Sequence, residues 1–265
     1  MDYQFLILEK EGRVLTVKIN RPDERNALSA GLMKELTRVA AEIREDYSLI
    51  AVVLSGGNQF FSAGLDLKDP EIISILTKPI PVRRRLLEMG PRMCRAWEEI
   101  PQVTIAALEG FCIGGAVSLV LACDFRLMAE NAFLRISEID LGMNYSWGSL
   151  PRLVNLVGPA KAKEWVILAD KVECPEAIQY GFAQSKAVAG QAISGTMPAP
   201  ITSAISRPPS SRPGSIQSES RTSRALTSAR SRSSSWKWRK GTLCPRGNCR
   251  RGCRISRRGW SRAAS

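Results

Sequence analysis

The sequence predicts an α/β domain over residues 1–183. Three observations predict it. Apolar runs of strand length alternate with stretches of helical periodicity, and glycine-containing loops sit at their joints. One run, Leu49–Leu54, is apolar throughout, as in a strand buried on both faces.

Leu6–Glu9 and Val14–Ile19 are β-type runs separated by Glu11-Gly12, a hairpin signal. Asn20–Asn26 (NRPDERN) is a charged loop rich in turn formers. Ser29 is placed to cap a helix from about Ala30 to Arg44, whose Leu32, Leu36, Val39, Ala40 and Ile43 share one face. After Leu49–Leu54 comes a Gly/Ser-rich loop, Ser55–Gly64. Residues 70–82 carry three prolines and read as irregular, whereas Arg83–Glu99 reads as one amphipathic helix. The unit then recurs: a strand at Val103–Leu108, a tight turn at Gly110, a helix over about Gly114–Ala122 and a strand at Phe125–Met128. Pro159–Ala169 and Pro175–Tyr180 read as helices with proline in the first turn, where its missing N–H costs little.

The pattern stops near Ala183. Residues 184–265 hold 18 Ser, and 17 Lys and Arg against a single acid, Glu219, while residues 1–183 hold 21 bases and 24 acids. The formal charge of +13 therefore belongs to the tail and does not describe what the folded part binds. A segment so poor in apolar periodicity does not offset its ordering entropy and is expected to be disordered.

No histidine occurs among the 265 residues, which excludes Ser-His-Asp and Cys-His nucleophiles and His-based metal centres. Proton transfer must then fall to Glu, Asp, Lys, Tyr or Cys. Cys94, Cys112, Cys123 and Cys174 lie in or beside apolar runs and read as buried thiols. Cys244, Cys249 and Cys253 lack metal-ligand spacing, so no metal is expected. No secretory signal is visible, and the longest apolar stretch, Phe111–Cys123, is shorter than the about 20 residues a bilayer span needs. The reading is a cytoplasmic protein without membrane attachment.

Two loops carry the chemistry. Phe60-Phe61-Ser62-Ala63-Gly64-Leu65-Asp66-Leu67 follows one buried strand; Glu109-Gly110-Phe111-Cys112-Ile113-Gly114-Gly115-Ala116 follows another and enters an apolar helix. A helix N-terminus presents unpaired N–H groups and partial positive charge, which suit a developing oxyanion, and small residues let a carbonyl approach the backbone. With Asn20-Arg21-Pro22, Asn26-Ala27-Leu28, Ala122-Cys123-Asp124, Glu138-Ile139-Asp140-Leu141-Gly142, Leu150-Pro151-Arg152-Leu153 and Val157-Gly158, these loops resemble the crotonase superfamily, the enoyl-CoA hydratase/isomerase family, over residues 3–183.

The resemblance implies a spiral of ββα repeats that binds coenzyme A thioesters, with coenzyme A as part of the substrate and no separate cofactor. It maps the oxyanion N–H donors to Ala63 and Gly115. Arg25–Leu28 (Arg25 and Ala27 in particular) and Ser62–Asp66, through Ser62, Ala63, Gly64, Leu65 and Asp66, would line the coenzyme A side; Asp66 alternatively caps local backbone. Glu138 matches one family carboxylate. The second, which hydratases carry three residues after the oxyanion glycine, is replaced by Ser118. A single carboxylate suits Δ3,Δ2-enoyl isomerisation, hydration usually draws on two, and the further aspartates of dienoyl-CoA isomerases fall at Ser118 and Ser146. Trp147 and Met143 either wall the acyl pocket or pack in the core.

The family is trimeric or hexameric through C-terminal amphipathic helices, and nothing like them is written in residues 184–265. That tail has the composition of an out-of-frame reading of a GC-rich gene. Two expectations follow: an isomerase or hydratase using Glu138, or a non-catalytic crotonase-like protein. In the second, Lys and Arg with Trp236 and Trp238 would contact nucleic acid, the less favoured partner.

Overall fold

The computed structural model describes residues 2–75 and 77–192. Strands β1 (Leu6–Glu11) and β2 (Val14–Ile19) form the expected hairpin, antiparallel from Leu6↔Ile19 to Glu11↔Val14, with Gly12 at φ +58° in the turn. From β2 onward the large sheet is parallel: β2, β3 (Ala51–Ser55), β4 (Val103–Leu108), β6 (Phe125–Ala129) and β9 (Ser185–Ala187) lie side by side. A smaller sheet holds β5 (Phe111–Ile113) between the turn at Gly110 and the following helix, parallel to β7 (Phe133–Arg135), which pairs antiparallel with β8 (Val172–Glu173). A strand of the large sheet, a strand of the small one and a helix make one turn of the spiral.

Helix α1 (Ala30–Glu45) begins as its sequence dictates: the Ser29 hydroxyl accepts from the Leu32 N–H at 3.1 Å. Its buried face is Ala30, Leu32, Met33, Leu36, Val39, Ala40 and Ile43. That face packs on α4 (Met89–Glu98), where Trp97 is fully buried and its Nε1 donates to the Leu36 carbonyl at 3.0 Å. Burying such a side chain contributes about 1.5–3 kcal/mol, and satisfying its N–H keeps that gain from being lost to desolvation. Cys94, Cys112, Cys123 and Cys174 are buried free thiols, as expected.

Four expectations need correction. Residues 70–82 are not irregular: α2 (Pro70–Ile75) and α3 (Ile80–Leu87) form there because the prolines fall at helix starts. The single helix 83–99 is two, α3 and α4, divided at Glu88; Pro91 lacks the N–H that would bond to the Leu87 carbonyl. Helix α5 (Gly115–Val120) stops early because Arg126 takes the Val120 and Cys123 carbonyls at 3.3 and 2.8 Å. Finally, ordered architecture passes Ala183: β9 extends the large sheet, and buried Glu109 accepts from the N–H groups of Gly190 (3.1 Å) and Ala192 (2.8 Å).

Two more helices, α6 (Ser149–Val157) and α7 (Pro159–Leu168), follow the Glu138 segment, and α8 (Cys174–Gln179) precedes β9. The basic tail from residue 193, with Trp236, Trp238 and the last three cysteines, lies outside the described residues. Among the described residues no helix is long and apolar enough to cross a membrane.

Candidate active site

The first loop is built on Asn26, a buried residue at φ +54°. Its side-chain amide donates to the carbonyls of Gly56 (2.7 Å) and Phe61 (3.1 Å), and its Oδ1 accepts from the Arg21 N–H (2.9 Å). Asparagine tolerates the left-handed region better than most residues, so the position suits both its backbone and its side chain. Ser62 locks the next layer: its hydroxyl donates to the Asn26 carbonyl at 2.7 Å and accepts from the Gly64 N–H at 3.1 Å.

This network settles which N–H groups can serve a ligand. The Ala63 N–H donates to the Arg25 carbonyl at 3.0 Å, so the oxyanion role expected of Ala63 is not open to it. The Leu65 N–H is placed differently. The Leu28 N–H donates to the Gly64 carbonyl and the Asp66 N–H to the Leu28 carbonyl, which turns the Leu65 N–H away from that pairing. Among the described residues it has no acceptor. The order of N–H directions in the loop was the missing signal, and it depends on pairing with Leu28, thirty-odd residues away.

The second loop meets the first at Gly64, at φ +84°. A Cβ there would stand 2.4 Å from the Ile113 carbonyl and 3.4 Å from the Gly115 nitrogen, so only glycine permits this approach. Gly114 donates its N–H to the Arg135 carbonyl at 2.8 Å, and the N–H of Gly115, first residue of α5, has no acceptor among the described residues.

Glu138 opens a 3-10 turn, Glu138–Leu141, closed by left-handed Gly142. Its Oε1 lies 3.3 Å from where a Cβ on Gly114 would be, which puts the carboxylate against the Gly114–Gly115 turn. Burial raises its pKa above the ordinary 4.5, and Oε2 is buried with no hydrogen-bond partner among the described residues. Ser118 sits one helical turn below Gly115 and is buried. Beside it is Tyr145, which the sequence did not single out. Its buried hydroxyl is flanked by Ser118 and Ser149 without a well-formed hydrogen bond to either, and burial holds it far above the ordinary value of 10. The Ser149 hydroxyl is likewise buried and unpartnered.

Arg25, Ala27, Leu65 and Asp66 line one cleft of about 830 Å³, together with Arg21 and Lys68. Ser62 does not join them: it is fully buried and its hydroxyl is used internally, so its expected ligand-binding role gives way to a structural one. Gly64 is buried too and acts as the contact between loops. Asp66 pairs with Arg21 at 3.1 Å and accepts from the Lys68 N–H at 3.0 Å, which favours the backbone-capping alternative.

The chain matches the family model described as enoyl-CoA hydratase/isomerase over residues 9–197. It belongs to the enoyl-CoA hydratase/isomerase family. The short-chain-enoyl-CoA hydratase of Clostridium acetobutylicum is 34% identical over 183 residues, 69% of this chain and 68% of that protein. The mitochondrial Delta(3,5)-Delta(2,4)-dienoyl-CoA isomerase of Mus musculus is also 34% identical, over 66% of this chain and 56% of its own length. Among solved structures, an enoyl-CoA hydratase from Bacillus anthracis superposes with a TM-score of 0.66 at 30% identity, covering 72% of this chain and 73% of that one. An enoyl-CoA hydratase/isomerase from Marinobacter aquaeolei gives 0.68 at 28% identity, covering 77% and 76%. The crotonase spiral expected from the sequence is thus the fold of this family member.

Proposed function

We propose that the protein acts on an enoyl-CoA thioester, holding the thioester oxygen between the N–H groups of Leu65 and Gly115 and moving protons with Glu138. The single observation that carries the reading is the Glu138 carboxylate standing against the Gly114–Gly115 turn. A carbonyl oxygen bound there would leave the acyl α-carbon within reach of that base. Each fixed donor contributes most when negative charge reaches the oxygen, and losing one typically costs about 3–4 kcal/mol.

Isomerisation of a 3-enoyl to a 2-enoyl thioester is the favoured reaction. Glu138 removes a proton from C2, and the electron pair moves onto the thioester oxygen, where the two N–H groups meet it. The conjugated enolate then takes the same proton back at C4, leaving a C2–C3 double bond. One carboxylate is enough for both transfers. A raised pKa keeps Glu138 a better proton acceptor than an exposed glutamate. Ser118 offers only a hydroxyl beside Tyr145, where a second carboxylate would help activate water. The names of the relatives, a hydratase and an isomerase, support the thioester chemistry and leave the choice between reactions to the site. Arg25 and Lys68 at the cleft would meet coenzyme A phosphates.

The test is turnover of a panel of 2-enoyl and 3-enoyl coenzyme A thioesters by the wild type and by Glu138→Gln. Equal rates in the two proteins would remove Glu138 from the mechanism. Water addition outpacing double-bond migration would reverse the preference for isomerisation.

A further inference from the structure

Trp147 occupies a backbone conformation that bulky residues rarely adopt, φ +58°, followed by Gly148 at φ +71°. A left-handed residue of this kind costs about 1–2 kcal/mol. The destination of its ring accounts for that cost. The indole lies between α4 and α5: a Cβ on Gly90 would stand 2.1 Å from its Cε2, and one on Gly115 would stand 2.6 Å from its Cη2. Neither glycine has positive φ, so what they supply is room for the ring. The Trp147 carbonyl is held as well, accepting from Arg152 Nη1 at 3.2 Å. Arg152 in turn grips Glu98, the last residue of α4, with two hydrogen bonds of 2.8 and 2.5 Å. Ring and backbone are both fastened to α4.

We propose that Trp147 is a fixed wall that sets acyl-chain length and confines the site to short acyl groups. The proposal rests on the oxyanion reading above, because an acyl oxygen on the Gly115 N–H brings the acyl carbons alongside the indole.

The test separates binding from turnover by using butyryl- and decanoyl-coenzyme A, saturated thioesters that keep the carbonyl oxygen and have no double bond to move or hydrate. Trp147→Ala should raise the decanoyl-to-butyryl affinity ratio by at least about tenfold, since six further methylenes gain buried surface. Trp147→Phe, which keeps a ring between the two glycines, should shift the ratio less and in the same direction, and it carries the test if the alanine variant does not fold. A ratio unchanged in the folded variants overturns the proposal, as does a wild type that binds the two equally well or binds neither. If the saturated thioesters bind with the expected shift while no enoyl thioester is turned over, the wall stands and the catalytic reading of Glu138 fails.

Discussion

The region around Asn26 and the segment that carries Glu138 differ in how their polar groups are used. Around Asn26, Ser62 and Asp66 nearly every buried donor and acceptor has a partner within the protein. Around Glu138, Tyr145 and Ser149, a carboxylate oxygen and two hydroxyls are buried with none. Buried polar groups are ordinarily paired, and leaving one unpaired costs about 1–3 kcal/mol. The first region therefore spends its hydrogen bonds on shape, fixing which N–H faces the ligand. The second stores unmet capacity in the place where chemistry is proposed. Substitutions should separate them: damage to the first appears as lost stability, damage to the second as lost rate.

The largest effect is expected from Glu138→Gln. Steady-state turnover of the best thioester should fall by about 10²–10⁴-fold, the span of general acid–base catalysis. The same variant should be more stable than the wild type at pH 7. Because burial raises the folded-state pKa of Glu138 above 4.5, the charged form is penalised only in the folded protein. That penalty grows as pH rises through 4.5 and is complete above the folded pKa, so the stability gain of the glutamine variant should vanish below pH 4.5. Urea unfolding at several pH values checks this. A loss of stability at neutral pH would break the comparison.

Asn26→Ala should do the opposite. It removes three hydrogen bonds and puts alanine at a positive φ, which together should cost about 3–4 kcal/mol in the midpoint-derived unfolding free energy. Ser62→Ala removes one donor and one acceptor interaction and should cost about 1–2 kcal/mol. On the acid side of the rate profile, kcat/KM should decline at a pH above the ordinary glutamate value of 4.5, because the base must be ionised and burial opposes ionisation. The smallest effect belongs to Tyr145→Phe. Deleting a buried hydroxyl that has no partner among the described residues should raise unfolding free energy by about 1 kcal/mol, opposite in sign to Ser62→Ala.

Much of the frame was legible in the sequence because its signals are local. Ser29 caps α1, and the apolar spacing from Leu32 to Ile43 is the buried face; the continuous run at residues 49–54 contains the central strand β3. The misreadings arose where distant contacts decide. Pro70, Pro79 and Pro81 looked like breakers but fall at helix starts. Arg126 ends α5 from beyond the helix, and the two- and three-residue strands of the small sheet are too short to show periodicity. At the site, Glu138 lies against the Gly114–Gly115 turn. Ala63 was misassigned because composition marks a loop without revealing which of its N–H groups is already engaged. Tyr145 and Ser149 were missed for a related reason: a hydroxyl in a Gly/Ser-rich stretch gives no hint that it will be buried beside a carboxylate.

Glu109 ties the start of the second loop to the far end of the described chain. It follows β4 directly, yet both N–H partners of its buried carboxyl come from residues 190 and 192. Those donors stand just past β9, the strand that covers the outer edge of β6. One short segment therefore does two jobs, pairing an otherwise open strand edge and satisfying a carboxyl that could not be left buried alone. A chain cut before residue 190 would lose both together, so the turn at Gly110 is anchored by residues some eighty positions away.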